Sequence, residues 1–180
     1  MPRLFVALDV PESVKIRMET LFEAEKGVRW VRPGQVHLTL RFIGEVDEAT
    51  TAAIAERLRS VRAAPFPLHV GGVGVFPGRR RPRVLWVGAD GGDGLAALHA
   101  RVETAVREAG TAPDEKPFRP HLTLARLRRP DPAWVRAFLA EHRDFDTEPF
   151  PVTRFHLYES RLLPEGAEHH RLAEYPLSEA

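Results

Sequence analysis

Cysteine is absent from the 180 residues, which excludes disulfides and every zinc site built on thiolates. Asparagine is absent too, glutamine occurs once, at Gln35, and there are three lysines against 23 arginines. Genomic G+C bias explains few asparagines and lysines, but not few glutamines and cysteines. With 16 prolines, this depletion of thermolabile side chains is a thermophile-like pattern and predicts a melting temperature above about 60 °C. No apolar run is long enough to span a bilayer, and Leu4 to Val10, broken by Asp9, lacks a signal-peptide cleavage pattern, so it reads as a first strand of a cytoplasmic protein. A large charge of either sign is also missing. The net charge of +1 excludes a bulk polyanion binder and leaves one local cluster, Arg79-Arg80-Arg81-Pro82-Arg83, as either a solvated turn or a phosphate-contacting loop. There is no G-x-x-x-x-G-K-[ST] loop to cradle a nucleoside triphosphate.

What is present is a repeat. The tetrapeptide His-Leu-Thr-Leu stands at His37 to Leu40 and again at His121 to Leu124, a separation of 121 − 37 = 84 residues. The same offset places Asp47-Glu48-Ala49 on Asp131-Pro132-Ala133 and Pro65-Phe66-Pro67 on Pro149-Phe150-Pro151. Two long units are too few for a solenoid and fit an internal duplication into two similar lobes. The expected organisation is one bilobal domain over residues 1–180, with repeat halves at roughly 4–77 and 83–177. Strand and helix signals alternate, and Leu68 to Phe76 and Arg83 to Val87 read as a hairpin, so the fold class is α+β. Its expected sheets are mixed or antiparallel, flanked by helices, with an active-site groove between the lobes. Local expectations are a helix from Pro11 to about Gly27, a turn over Trp30 to Gly34, and a strand from Gln35 to Glu45. They continue with a helix capped by Asp47, helices over Leu95 to Ala109 and Pro132 to His142, and closing strands over Phe150 to Leu162 and Arg171 to Leu177.

In a strand, side chains alternate between faces, so His37 and Thr39 share one face and Leu38 and Leu40 anchor the other; the second copy repeats this with His121, Thr123, Leu122 and Leu124. If the lobes face each other, two imidazoles flank one substrate as general acid and base near neutral pH, and two hydroxyls hold the non-bridging oxygens of a phosphate. Such a pair needs no metal. A metal between His37 and His121 would lack carboxylate ligands in the motifs, and of His169 and His170 only one can face the site. His69, His99, His142 and His156 have no repeated partner and read as structural.

The two motifs resemble those of the two-histidine (2H) phosphoesterases. The likeness extends over Leu4 to Asp9, His37 to Glu45, Phe118 to Arg126 and Leu157 to Leu162, and is greatest to the bacterial and archaeal RNA 2′,3′-cyclic phosphodiesterases, formerly called 2′-5′ RNA ligases. That resemblance implies metal-independent hydrolysis of a terminal 2′,3′-cyclic phosphate to a 2′-phosphate. It makes His37 the proton donor, His121 the proton acceptor, and Arg126 a substrate-binding residue. From the residues alone either polarity is allowed, and Phe42, at the repeat position of Arg126, suits base stacking or the core equally. The implied partner is RNA with a cyclic phosphate end, tRNA halves included, acted on by a monomer with no cofactor and no membrane. Reversal with a 5′-hydroxyl in place of water would give ATP-independent 2′-5′ joining. The competing readings are a noncatalytic RNA-end binder and a phosphodiesterase for another small cyclic phosphate.

Overall fold

A computed structural model describes residues 1–178. Strand β1 (Arg3–Asp9) leads into α1 (Glu12–Glu19), β2 (Val28–Trp30), a 3-10 turn at Pro33–Gln35, β3 (His37–Glu45), α2 (Glu48–Leu58) and β4 (Phe66–Phe76). The second half runs β5 (Val84–Asp90), α3 (Gly92–Glu108), β6 (His121–Leu127), α4 (Pro132–Glu141), β7 (Phe150–Val152), β8 (Arg154–Leu163) and β9 (Gly166–Pro176). One sheet has the order β3-β1-β8-β9 and the other β2-β6-β5-β4-β7. Every strand pairing among the described residues is antiparallel.

The sheets do not follow the two halves of the sequence. The triplet β3-β1-β8 corresponds to β6-β5-β4, so of these six strands each half keeps two in one sheet and places the third in the other. The repeated Pro-Phe-Pro segments meet at this crossing. Phe66, Pro67 and Leu68 pair with Val152, Pro151 and Phe150. Pro67 and Pro151 are repeat equivalents, 151 − 67 = 84, and an antiparallel pair of equivalent residues lies on a two-fold axis by construction.

Both repeated aspartates act as helix N-caps. Asp47 accepts from Thr50 N at the start of α2 and Asp131 from Ala133 N at the start of α4, satisfying amides that have no intrahelical partner. One contiguous core joins the sheets, from Leu4, Leu38 and Leu157 on one side to Leu85, Leu122 and Leu124 on the other, with Ile54, Leu98, Val102 and Phe138 contributed by the helices.

Helix α1 stops at Glu19 rather than near Gly27. The Thr20 hydroxyl donates to Arg17 O at 2.6 Å, and Leu21 and Phe22 N–H turn back to Met18 and Glu19 carbonyls three residues away. This local bonding ends the α-helical pattern while still bringing Leu21 into the core and Phe22 onto Trp30, at a ring separation of 4.7 Å. The expected turn over Trp30 to Gly34 is the end of β2 followed by the 3-10 turn. The closing segment Phe150 to Leu162 is two strands that part at Thr153 and belong to different sheets. Strand β9 starts five residues before the expected Arg171, because its hairpin with β8 continues to Leu163 and Gly166.

Candidate active site

Of the motif strands, β3 is an edge strand of its sheet and β6 lies between β2 and β5 in the other. Leu38, Leu40, Leu122 and Leu124 are buried on the core side, each worth about 1.5–3 kcal/mol of apolar transfer. The alternation then holds His37, Thr39, His121 and Thr123 on the opposite sides of those strands. A cavity of about 510 Å³ is lined by His37, Thr39 and Phe42 from β3, Thr123 and Arg126 from β6, and His169 from β9. Arg3, Arg29, Arg32 and Gln35 extend its polar wall. Phe42 is 53% exposed, so it stands in the cavity and not in the core. His121 is not among the lining residues. It sits two positions before Thr123 on the same face, edge-on to Phe76 at 4.9 Å between centroids.

The two imidazoles have different surroundings. His121 Nδ1 donates to the Arg119 carbonyl at 2.7 Å. A carbonyl only accepts, so the neutral ring keeps its proton on Nδ1 and leaves a lone pair on Nε2. Burial lowers the His121 pKa below 6.5, with Arg126 adding to the effect and the Arg119 bond opposing it. The neutral ring is therefore the resting form at neutral pH.

His37 lies with Nδ1 3.3 Å from His169 Nδ1 and Nε2 3.7 Å from Asp9 Oδ1. Its pKa is lowered to about 4, first by burial and then by the charge of His169, against the opposing pull of Asp9. Beneath the pair, Asp9 accepts from Tyr158 Oη and, at 2.6 Å, from Arg171. Burial and the Asp9 contact push the Tyr158 pKa up to about 12.

His156 is buried and contacts Glu174 at 3.1 Å under the strand. Asp9, Tyr158 and Arg171 carry no motif signal in the sequence, and His169 stands out there only as a spare metal ligand. Among the described residues no group of three or more His, Cys, Asp and Glu side chains is arranged to hold a metal. The Arg79 to Arg83 cluster lies in the exposed connection between β4 and β5 and does not line the cavity. Among the described residues no helix is long and apolar enough to cross a membrane.

A family model described as the 2′-5′ RNA ligase superfamily matches residues 10–162. The chain belongs to that superfamily. A member from Thermotoga maritima named RNA 2′,3′-cyclic phosphodiesterase is 38% identical over 170 residues, which is 91% of this chain and 89% of the relative. The backbone matches a crystal structure of a Thermus thermophilus protein with a TM-score of 0.80 at 31% identity, covering 98% of each chain. It also matches Escherichia coli LigT complexed with 3′-AMP, with a TM-score of 0.78 at 28% identity over 99% of this chain and 100% of that one. These likenesses span both sheets and both motif strands of the superfamily fold.

Proposed function

We propose that the chain is an RNA 2′,3′-cyclic phosphodiesterase in which His37 is the general acid and His121 the general base. The observation that carries this reading is the cavity that gathers Thr39 and His37 from one repeat with Thr123 and Arg126 from the other. In the proposed step, His121 Nε2 takes a proton from water as the water oxygen attacks phosphorus. The opposite P–O3′ bond breaks in line and the departing 3′ oxygen takes its proton from His37. The product is a 2′-phosphate with a free 3′-hydroxyl, and the two imidazoles exchange protons with solvent to reset. Thr39, Thr123 and Arg126 hold non-bridging oxygens whose charge grows in the transition state. Phe42 offers its exposed ring to the terminal base.

Every residue given a role here comes from one chain, which supports action as a monomer. A 5′-hydroxyl held where the water stands would be joined by the same pair of histidines, as for two tRNA halves, without ATP.

The test is a short RNA with a 2′,3′-cyclic phosphate end, incubated with the enzyme in EDTA, with the product isomer identified. The expected product is the 2′-phosphate. His37→Ala or His121→Ala lowers turnover by about 10² to 10⁴ with the fold intact. Near-native turnover in either variant overturns the acid-base assignment, and stoichiometric binding without turnover in the parent protein would favour an RNA-end binder.

A further inference from the structure

The two histidines occupy equivalent places in the repeat, but their cross-strand neighbours differ. Strand β1 holds the position in its sheet that β5 holds in the other. Asp9 on β1 pairs with His37, whereas Gly88 on β5 pairs with His121. Nothing larger fits at 88 without displacing backbone, because a Cβ there would lie 2.8 Å from the Gly71 carbonyl oxygen. One histidine has a carboxylate beside it and the other is denied one.

Asp9 is also fixed in place. Tyr158 donates to Oδ1 and Arg171 to Oδ2, and Tyr158 stays a donor throughout the neutral range because its proton leaves only near pH 12. Oδ1 is left facing two imidazoles, His37 Nε2 at 3.7 Å and His156 Nδ1 at 3.6 Å. The His156 nitrogen is buried and has no hydrogen-bond partner.

We infer that Asp9 is a positioning residue that breaks the symmetry of the site. Its carboxylate stabilises the imidazolium of His37, and so makes His37 the proton donor and leaves His121 the acceptor. The inference rests on the acid-base reading given above.

The charges that face His37 sharpen the role. His169 from β9, Lys15 from α1 and His156 from β8 all disfavour the protonated ring, and Asp9 from β1 is the group that favours it. Arg171, on the far oxygen of Asp9, moderates that pull. At His121 the asymmetry runs the other way. Its Nδ1 proton is committed to the Arg119 carbonyl and the nearby charge is the cationic Arg126.

The experiment is the pH dependence of kcat on the cyclic-phosphate RNA for the parent enzyme, Asp9→Asn and Asp9→Glu, with His37→Ala alongside. Asparagine keeps the acceptor oxygen for Tyr158 and the side-chain size while removing the charge. The alkaline limb of the kcat profile reports the loss of the proton from His37 in the substrate complex. In Asp9→Asn it is expected to move down by roughly one to two pH units, the usual effect of an opposite charge at this range. The acidic limb, set by His121, and KM should stay in place, and Asp9→Glu should return the limb upward.

A purely structural role for Asp9 would lower kcat or the melting temperature at every pH and leave the limb unmoved, and that result overturns the inference. Should His37→Ala retain activity, the acid-base reading itself fails. If His37→Ala is inactive and the Asp9→Asn limb does not move, only the role of Asp9 fails.

Discussion

Burial and His169 hold the His37 pKa near 4, which makes the ring neutral at pH 7, yet a general acid must carry a proton when the substrate is bound. An anion in the cavity resolves this. A negative charge beside a partly buried imidazole favours its charged form, in the opposite sense to burial. Binding an anion at pH 7 should therefore draw protons from solvent, on the order of one per site. Sulfate is a suitable probe because it does not itself titrate near neutrality. Calorimetry in two buffers of different ionisation enthalpy is expected to show net proton uptake that is lost in His37→Ala. Uptake that persists in that variant would assign the proton to another group, and no uptake at all would mean that the acid is not loaded by charge. At this scale the sequence was legible where chemistry repeats. His37, Thr39, His121 and Thr123 could be paired because the same tetrapeptide occurs twice. Asp9 and His169 could not, because what ties them to His37 is a strand pairing across 28 residues and a ring-to-ring contact across 132, and no local pattern encodes either.

Among the elements, the β8–β9 hairpin does more than close a sheet. Its tip lines the cavity and is tied to β2 and to the segment after it. The Glu165 carbonyl accepts from Arg29 at 3.3 Å and Arg32 at 3.2 Å, and the Ala167 carbonyl from Gln35 at 2.8 Å. Leu162, 69% exposed just before the tip, lines the same cavity. The turn depends on Gly166, whose φ of +129° is costly for any other residue and whose hypothetical Cβ would lie 2.6 Å from Arg32 Nη2. Gly166→Ala should loosen the tip from the two arginines, raising KM for the RNA several-fold with a smaller effect on kcat, since neither histidine touches the turn. Steady-state kinetics on one cyclic-phosphate oligonucleotide checks this, and an unchanged KM would show that the tether does not shape the binding site. Of this hairpin the sequence shows two closing strands, over Phe150 to Leu162 and from Arg171, but not the first five residues of β9 or the tip before them. Nor does it show the contact with β2, and β2 itself, three residues long, is too short for alternation to reveal.

For the whole molecule, the crossing of the halves governs how it unfolds. Duplication invites the expectation of two units that fold separately. The strand order denies it, because β4 of the first half completes the sheet of the second and β8 of the second completes the sheet of the first. Neither half retains a finished sheet when parted from the other, and the core that both share is contiguous. Loss of one lobe thus exposes strand edges and apolar surface of its partner, which makes partly folded states costly. Heating should give a single transition by calorimetry, with equal calorimetric and van't Hoff enthalpies. The composition adds the temperature. A chain with no Asn or Cys, one Gln and 16 prolines is expected to melt above about 60 °C. A fragment ending at residue 78 should remain unfolded, because β4 would have neither β5 nor β7 to pair with. Two resolved transitions, or a cooperatively folded fragment, would show that the repeats are independent units in spite of the exchange; a single transition well below 60 °C would leave the crossing intact and refute only the reading of the composition.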